Sequence, residues 1–247
     1  MQKEFTGVDV VFHQAAISSV PRSVDNPLQS HNANITGSLN VLIAARGNDV
    51  EKVVYASSSS VYGDSPTLPK HENMTPAPLS PYAVNKLAAE HYCNVFNSVY
   101  GLKTVALRYF NVFGPRQDPT SECSAVIPKF IRLIKQGKSP VIYGDGEQSR
   151  DFTYVDNVVQ ANIKAAEHKN ITGVFNAAYG CQMTVNNLAE ELMQVIGKEV
   201  EVRYEPPRPG DIKDSFADIS KAKKAFGYKP TVSIEEGLRR TVSWFQK

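Results

Sequence analysis

Short apolar runs alternate with longer helical patterns in the first part of the chain. The runs are rich in valine and in aromatic residues, a composition typical of buried strands, and they occupy residues 8–12, 53–56 and 104–109. Apolar residues at helical spacing predict helices over residues 34–45 and 82–100. The second helix has a start signal at Ser80-Pro81 and a stop signal at Gly101.

This alternation of strands and helices predicts an α/β fold with a parallel sheet. Connections between parallel strands are right-handed crossovers, and ligands of such sheets bind beyond the carboxyl ends of the strands. After Gly114-Pro115 the pattern becomes less regular, with helices predicted near residues 125–136, 156–166 and 185–196 and short strands between them. We therefore expect a second, smaller α/β lobe.

The composition is that of an ordinary globular domain. The chain has 247 residues, of which 42% are hydrophobic and 21% charged, and its net charge is +2. A charge this small does not favour nucleic acid or an anionic membrane as a partner, and we expect neither. No apolar run approaches the roughly 20 residues needed to span a bilayer.

The cysteines and histidines do not indicate a metal site. Cys93, Cys123 and Cys181 are odd in number and widely scattered, which fits neither a disulfide framework nor paired metal ligands. The five histidines lack a ligand spacing such as His-Glu-x-x-His, and His13 at a strand end is expected to be structural. We expect no metal, and a reducing, cytoplasmic location.

A tyrosine and a lysine share one face of the second predicted helix. Lys86 follows Tyr82 at the i,i+4 spacing. A free tyrosine has a pKa of about 10, so it is a poor base unless a positive charge stabilises its phenolate. The spacing alone fits a surface contact better than a catalytic pair. Serines 57–60 follow the strand over residues 53–56, where a hydroxyl can bind a substrate oxygen or simply form a turn.

Together with their neighbours, these residues form a specific pattern. Its parts occur in order along nearly the whole chain: Phe12-His13-Gln14-Ala15-Ala16, Asn34, Ser58, Tyr62-Gly63, Tyr82 with Lys86, Tyr109-Phe110-Asn111-Val112-Phe113-Gly114-Pro115, Arg150-Asp151 and Arg208-Pro209-Gly210-Asp211. This order resembles the extended short-chain dehydrogenase/reductase family and, within it, the NAD-dependent epimerases and dehydratases. The resemblance implies a Rossmann-like NAD-binding domain over residues 1–114 and 151–180, and a nucleotide-sugar-binding lobe over residues 115–150 and 181–247.

The resemblance also implies roles for single residues. Ser58, Tyr82 and Lys86 would be catalytic: Tyr82 would remove the proton from a sugar 4-hydroxyl that Ser58 also holds, while NAD oxidises carbon 4. The implied contacts to NAD come from Gln14, Ala15, Ala16, Asn34, Ser57, Tyr82, Lys86, Tyr109 and Phe110. The implied contacts to a nucleotide sugar come from Ser18, Arg22, Ser58, Ser59, Asn111, Val126, Tyr143, Arg150, Arg208, Asp211 and Ser215.

Two parts of the pattern narrow the implied reaction. Family dehydratases carry Asp-Glu where this chain has Ser59-Ser60, and nucleotide-sugar decarboxylases carry Glu at the position of Ser60. Hydroxyls suit oxidation and re-reduction at one carbon, so the resemblance favours 4-epimerisation of a UDP-sugar. Dehydration and decarboxylation of a UDP-sugar are the alternatives. Ser215 aligns with a gate at which a tyrosine restricts the pocket to glucose and galactose. The small serine at this position implies that the substrates are UDP-GlcNAc and UDP-GalNAc. UDP-glucose and UDP-galactose would also be accepted.

A glycine-rich opening is absent from the pattern. Folds of this type begin with a glycine-rich turn that holds the NAD pyrophosphate at a helix N-terminus. No such turn precedes residues 8–12, and roughly 65 to 70 residues of the family pattern are absent ahead of Asp9. We therefore expect a truncated Rossmann-like sheet, weakened NAD binding, and association through the exposed edge strand, as a homodimer or larger. A relative that binds a nucleotide sugar without turnover is the alternative.

Overall fold

The computed structural model describes residues 2–118, 126–207 and 212–245. The strands are β1 (Val10–His13), β2 (Lys52–Ser58), β3 (Lys103–Tyr109), β4 (Val112–Phe113), β5 (Val141–Tyr143), β6 (Ser149–Arg150), β7 (Thr153–Tyr154), β8 (Gly173–Ala177), β9 (Met183–Thr184), β10 (Arg203–Glu205) and β11 (Asp214–Ser215). The α-helices are α1 (Val20–Asp25), α2 (Pro27–His31), α3 (Gly37–Gly47), α4 (Pro81–Tyr100), α5 (Val126–Lys135), α6 (Val155–Glu167), α7 (Val185–Ile196), α8 (Ser220–Phe226) and α9 (Ile234–Phe245). Among the described residues, no helix has both the length and the apolar character that crossing a membrane requires.

The chain divides into two compact units, each with its own core. The first unit comprises Met1–Tyr109, Val159–Ala177 and Asp218–Lys229. The second unit comprises Phe110–Val158, Ala178–Ala217 and Pro230–Lys247. These bounds differ from the predicted domains, because residues 110–114, 151–158 and 178–180 group with the second unit and residues 218–229 with the first. The division into a cofactor half and a nucleotide-sugar half stays a prediction.

A parallel sheet forms the centre of the first unit. Its strand order is β1-β2-β3-β8, and every neighbouring pair is parallel. His13 lies opposite Tyr55, and Ser58 lies opposite Tyr109. Because the strands are parallel, their carboxyl ends meet at one edge of the sheet. The predicted α/β class with a parallel sheet is confirmed.

The sheet of the first unit is covered on both faces, so the side chains of β2 alternate between two apolar layers. Val53 and Tyr55 belong to a layer that also includes residues of α3 and α4, with members Leu42, Ala45, Val50, Ala89, Cys93, Phe96, Leu102 and Ala106. Val54 belongs to the opposite layer, with Val105, Leu107, Ala161, Ala165, Phe175, Ala177, Ala222, Phe226 and Tyr228. This arrangement fixes β2 firmly, and its last residue is Ser58.

Helix α4 begins and ends as its sequence signals require. The Ser80 hydroxyl accepts a hydrogen bond from the Ala83 N–H at 3.2 Å, and Pro81 occupies the first turn. Gly101 ends the helix with φ 74°, a left-handed conformation that favours glycine. The buried face of α4 consists of Ala83, Asn85, Lys86, Ala89, Glu90, Cys93 and Phe96. Lys86 is therefore on the face directed at the sheet.

The second unit has short strands around an apolar core. Strand β6 lies between β11 and β9, while β5 pairs with β10 and β4 with β7. Helices α5, α7 and α9 supply most of the core, whose buried members include Ile127, Phe130, Ile131, Ile134, Leu188, Leu192, Leu238 and Val242. The predicted helices of this region are confirmed, with α7 over the predicted residues 185–196.

Candidate active site

The predicted catalytic residues lie together at the carboxyl edge of the sheet. Ser58 ends β2, Tyr82 lies in the first turn of α4, and Lys86 follows one turn later. The Ser58 side chain lies beside the Tyr82 hydroxyl. The Lys86 ammonium donates to the Ala56 carbonyl at 2.6 Å and lies 5.8 Å from the centre of the Tyr82 ring. The three side chains form one cluster within the first unit.

Burial acts on both ionisable groups of this cluster. It lowers the pKa of the Lys86 ammonium to about 8, and the negative charge of Glu90 opposes that shift. Burial also raises the pKa of the Tyr82 hydroxyl, and the hydrogen bond to Ser58 opposes it. Lys86 is therefore mostly protonated at neutral pH, and Tyr82 depends on that charge to lose its proton.

The serines after β2 point in different directions. Ser60 donates to the Ser58 hydroxyl oxygen through its backbone N–H at 3.2 Å and through its own hydroxyl at 2.9 Å. Ser58 and Ser59 are half-buried, whereas Ser57 is buried and donates to the Glu90 carboxylate. Ser57 was predicted to contact NAD, and its hydroxyl is already engaged within the protein.

Asn34 holds the loop that follows β1. Its side-chain oxygen accepts from the Ile17 N–H at 2.8 Å, and its side-chain nitrogen donates to the Ile17 carbonyl at 3.0 Å. Asn34 is buried, while Ala15 on the same loop is exposed and Ala16 half-buried. Asn34 therefore positions this loop, and its contact with NAD stays a prediction.

Gln14 and Tyr109 form a second polar cluster at the ends of β1 and β3. The Tyr109 hydroxyl lies 3.0 Å from the Gln14 side-chain oxygen and accepts from the Asn162 amide at 2.8 Å. Gln14 in turn donates to the Asn162 side-chain oxygen at 3.0 Å. Both predicted NAD residues therefore share a partner on α6, Asn162, which the sequence did not single out. Phe110, the next predicted residue, is fully buried in the second unit.

His13 is a structural residue, as expected. It is buried at the end of β1, and its Nε2 lies 2.8 Å from the Ser38 hydroxyl. Burial lowers the pKa of His13 to about 4, with the nearby charge of Lys86 acting in the same direction. His13 is therefore neutral near pH 7. Within the described residues no group of His, Cys, Asp or Glu is arranged to hold a metal ion.

A cavity of about 240 Å³ in the second unit gathers the predicted nucleotide residues. Its walls include Asn111, Val126, Tyr143 and Arg150, all of which were predicted to contact the nucleotide sugar. The other lining residues are mostly apolar: Phe113, Ile127, Phe130, Val141, Ile142, Gln148, Phe152 and Val185. Gln148 was not predicted, and its amide donates to the Tyr143 carbonyl at 2.7 Å. An apolar wall with a few polar groups is the usual form of a small-molecule site.

Ser215 lies beside Arg150 in the second unit. The two residues are register partners on β11 and β6, and the Ser215 carbonyl accepts from the Asp151 N–H at 2.8 Å. The buried Asp151 carboxylate accepts hydrogen bonds from the N–H groups of Tyr179, Gly180 and Ala217, which ties these strand ends together. Ser215 itself is buried. The predicted residues Arg208 and Asp211 lie outside the described residues.

Of the other predicted substrate residues, Ser18 and Arg22 are exposed near the start of α1. The residue after Arg22, Ser23, has a role that the sequence did not reveal. Its hydroxyl is fully buried and accepts from the Tyr82 N–H at 3.0 Å. This contact satisfies one of the free N–H groups at the start of α4, that of Tyr82 itself. No local pattern could indicate it, because the two residues are far apart in the sequence.

Comparison with known proteins identifies the family. Residues 1–178 match the model of the NAD dependent epimerase/dehydratase family. The chain belongs to this family. A UDP-glucose 4-epimerase from Mycolicibacterium smegmatis is 37% identical over 239 residues, which are 96% of this chain and 76% of that protein.

Solved structures of the epimerase/dehydratase family match closely. A UDP-N-acetylglucosamine 4-epimerase from Methanobrevibacter ruminantium, in complex with UDP-N-acetylmuramic acid, is 50% identical with a TM-score of 0.96, over 99% of this chain and 79% of that chain. A UDP-glucose 4-epimerase from Thermus thermophilus, in complex with NAD, is 38% identical with a TM-score of 0.90, over 99% of this chain and 80% of that chain. These matches support the Rossmann-like class of the sheet.

The residues at the edge of the sheet fit the nicotinamide side of NAD. The Lys86 ammonium carries three protons, of which one is directed at the Ala56 carbonyl, and Tyr82 presents a half-buried hydroxyl. Such donors match the hydroxyls of the ribose that the family cofactor carries. Gln14 and Tyr109 add polar groups at the same edge. Tyr82, Lys86, Gln14 and Tyr109 are the residues that would hold this part of NAD.

Proposed function

We propose that this chain is a UDP-sugar 4-epimerase that uses NAD. The observation that carries the proposal is the cluster of Ser58, Tyr82 and Lys86, in which a buried ammonium lies 5.8 Å from the centre of a tyrosine ring whose hydroxyl lies beside a serine side chain. A structural lysine is usually exposed, because burying an ammonium is costly without a specific purpose or partner. The family membership and the epimerases among the relatives support this assignment.

The proton chemistry follows from the charges of the cluster. The positive charge of Lys86 stabilises the Tyr82 phenolate, which then removes the proton from the sugar 4-hydroxyl. Ser58 donates a hydrogen bond to the same sugar oxygen and keeps it next to Tyr82. NAD, when bound, would supply the acceptor for the hydride of carbon 4 and the donor that returns it to the same carbon. Tyr82 then gives its proton back to the sugar oxygen, so the complete cycle is redox-neutral.

The neighbouring hydroxyls favour epimerisation over the alternatives. Elimination of water requires an additional acid and base next to the reacting carbon. Ser59 and Ser60 lie at the turn after Ser58, and Ser60 is hydrogen-bonded to Ser58 itself. A serine hydroxyl cannot replace a carboxylate as an acid near neutral pH. Ser59 and Ser60 therefore suit simple oxidation and reduction better than dehydration or decarboxylation.

The nucleotide is assigned to the cavity of the second unit. Its apolar walls can pack against a planar base, and Asn111, Tyr143 and Gln148 can satisfy polar groups of the nucleoside. Arg150 supplies a permanently charged, forked donor for a diphosphate. Uracil as the base is supported by the UDP-sugar enzymes among the relatives.

The acetylated pair UDP-GlcNAc and UDP-GalNAc is the proposed substrate, with UDP-glucose and UDP-galactose also accepted. Two observations support it: the small, buried Ser215 beside Arg150, and 50% identity to a UDP-N-acetylglucosamine 4-epimerase. A homodimer is proposed as the assembled state. The cytoplasmic location stays a prediction.

Nuclear magnetic resonance of the sugar nucleotides tests the proposal directly. Purified protein is incubated with UDP-GlcNAc and NAD, and the anomeric signals are followed with time. We expect UDP-GalNAc to form, and NAD to be released when the protein is denatured. Tyr82→Phe should lower the rate by about 10²–10⁴-fold, the usual contribution of a general base. Tyr92→Phe is the matched control, because Tyr92 lies on the same helix and is exposed.

The outcomes separate the two functions that the sequence left open. Conversion that is lost in Tyr82→Phe and kept in Tyr92→Phe supports the epimerase. Binding of UDP-GlcNAc without conversion, in the presence of added NAD, would instead identify a nucleotide-sugar-binding protein without turnover. Conversion that survives in Tyr82→Phe would contradict the proposed role of Tyr82.

A further inference from the structure

Glu90 is a buried carboxylate one turn beyond Lys86 on α4. The i,i+4 spacing places both side chains on the buried face of the helix. Only 4% of Glu90 is exposed. A buried charge is costly unless it is paired and hydrogen-bonded, so the contacts of Glu90 decide what it can do.

The carboxylate of Glu90 connects α4 to two strands of the sheet. Arg108 on β3 binds it in a forked arrangement, with Nε to Oε1 at 2.9 Å and Nη2 to Oε2 at 2.7 Å. Ser57 on β2 donates its hydroxyl to Oε1. The forked geometry holds the carboxylate in one orientation. Arg108 is itself fixed by the Tyr62 ring, 4.6 Å from its guanidinium carbon.

Ser57 connects the Glu90 carboxylate to the cluster of Ser58, Tyr82 and Lys86. It lies between Ala56, whose carbonyl accepts from Lys86, and Ser58, whose side chain lies beside the Tyr82 hydroxyl. Glu90 thus fixes both the helix that carries Lys86 and the strand end that carries its acceptor. A shift of α4 along the sheet would have to break the contacts of Glu90 first.

Glu90 also differs in charge from the other groups around Lys86. The titratable groups close to Lys86 are Tyr82 and Glu90 on α4, Tyr55 on β2 and His13 on β1. Burial raises the pKa of Tyr55 and lowers the pKa of His13 to about 4. Among these described groups, Glu90 is the one with a carboxylate.

We propose that Glu90 is a positioning residue for the proposed epimerase reaction. It acts through Lys86 and Ser57: its carboxylate holds α4 against the ends of β2 and β3, and its charge keeps the Lys86 ammonium protonated beside Tyr82. The inference rests on the proposed function of the cluster. It assigns a role to a residue that does not touch substrate or cofactor.

Titration of Lys86 in Glu90→Gln tests the inference without requiring turnover. The full chain is labelled with ¹³Cε-lysine, the Lys86 signal is assigned with Lys86→Arg, and its chemical shift is followed with pH by nuclear magnetic resonance. We expect the midpoint of Lys86 to fall by about one pH unit or more, the effect of losing a nearby opposite charge. Glu51→Gln is the matched control, since Glu51 forms an exposed ion pair with Lys169 at 3.4 Å. It should leave the midpoint of Lys86 in place.

A purely structural ion pair would give a different result. It would lower the melting temperature of Glu90→Gln and leave the Lys86 midpoint unchanged, and that outcome would overturn the inference. If Glu90→Gln fails to fold because Arg108 is left unpaired, the double variant Glu90→Gln/Arg108→Met removes the stranded charge. Its Lys86 midpoint should still lie below that of the unaltered protein. An unchanged midpoint in the double variant also overturns the inference.

Turnover supplies a second, independent measurement. In a chain that epimerises UDP-GlcNAc, Glu90→Gln should lower kcat at pH 8 at least roughly tenfold and leave KM within about twofold, because the substrate is not contacted. An unchanged kcat would contradict the positioning role. A chain that shows no epimerisation refutes the proposed function but still yields the titration of Lys86, so the two failures are distinguishable.

Discussion

A buried lysine and a buried tyrosine each favour the neutral state when they are alone. Burial lowers the pKa of Lys86 and raises the pKa of Tyr82. When the two groups lie together, the ammonium stabilises the phenolate and the phenolate stabilises the ammonium, so their titrations are coupled. The proton chemistry of Tyr82 therefore depends on how firmly Lys86 is held beside it. The geometry of the pair matters as much as the identity of its members.

A substitution at Ser215 tests how the pocket recognises the sugar. Ser215 is small and buried beside Arg150, so a tyrosine at this position would fill space in the second unit. We expect Ser215→Tyr to lower kcat/KM for UDP-GlcNAc roughly 100-fold or more, while UDP-glucose is converted within a few-fold of the original rate. The measurement is kcat/KM for both pairs, determined by nuclear magnetic resonance of the products.

Ser215→Ala is the control for this change, because it keeps the position small and should retain both activities. Circular dichroism and the melting temperature show whether the larger residue is accommodated. An equal loss of both activities in a folded Ser215→Tyr protein would rule out a gate at this position.

Single residues show where reasoning from sequence succeeds and where it fails. The spacing of Tyr82 and Lys86 placed them on one helix face, because helical periodicity is a local property. The same rule applied once more would have found Glu90. The contact from Ser23 to the Tyr82 N–H could not be found, because it joins residues that are distant in the sequence. Arg208 and Asp211 stay predictions.

At the scale of elements, local signals predicted most of what was found. Ser80-Pro81 and Gly101 marked the ends of α4, and apolar runs marked β1, β2 and β3 to within a few residues. The predicted helix over residues 34–45 begins differently, since a π-helical turn over Asn32–Thr36 precedes α3. Such a turn has no reliable sequence signal. Short strands were predicted between the helices of the second unit, but not their positions, because two-residue strands are defined by their partners.

The first turn of α4 gives a prediction for Ser23→Ala. This substitution leaves the Tyr82 N–H without its acceptor. The loss of a capping contact typically costs about 1 kcal/mol, so we expect the free energy of unfolding to fall by about that amount. Urea unfolding followed by circular dichroism measures the change, with an unchanged m-value.

Ser98→Ala is the matched control on the same helix. Ser98 is exposed and donates only to the Val95 carbonyl one turn earlier. Its removal should change the free energy of unfolding by less than about 0.5 kcal/mol. Equal stability of Ser23→Ala and Ser98→Ala would show that the start of α4 does not depend on α1.

At the scale of the whole molecule, each unit is formed by three separate segments of the chain. The predicted domain bounds assumed that residues 181–247 stay together, yet α8 belongs to the first unit, where Ala222 and Phe226 pack in the layer with Phe175. Apolar periodicity shows that a helix is buried on one side, but not against which core it is buried. The confirmed fold class required only the order of elements, whereas the unit bounds required knowledge of packing.

The outer face of α4 leads to the prediction on assembly. Val84, Tyr92, Val95 and Val99 form an exposed apolar stripe opposite the face that packs on the sheet. Apolar residues of this helix therefore occupy two faces, of which one packs on the sheet and the other is exposed. A continuous apolar stripe of this kind is typical of a protein interface. The proposed homodimer would bury it against the same stripe of a second copy.

Val95→Lys should therefore weaken the dimer. Lysine is a good helix former, so α4 should remain folded, while the charge opposes burial of the stripe. We expect the dimer dissociation constant to rise roughly tenfold or more, measured by sedimentation over a range of concentrations. Phe12→Lys is the comparison, because Phe12 is exposed on β1, the strand at the end of the described sheet and the edge predicted to associate. If Phe12→Lys weakens the dimer and Val95→Lys does not, the dimer contact is at β1 and not at α4. The reason is that pairing at β1 would place Phe12 next to the second chain.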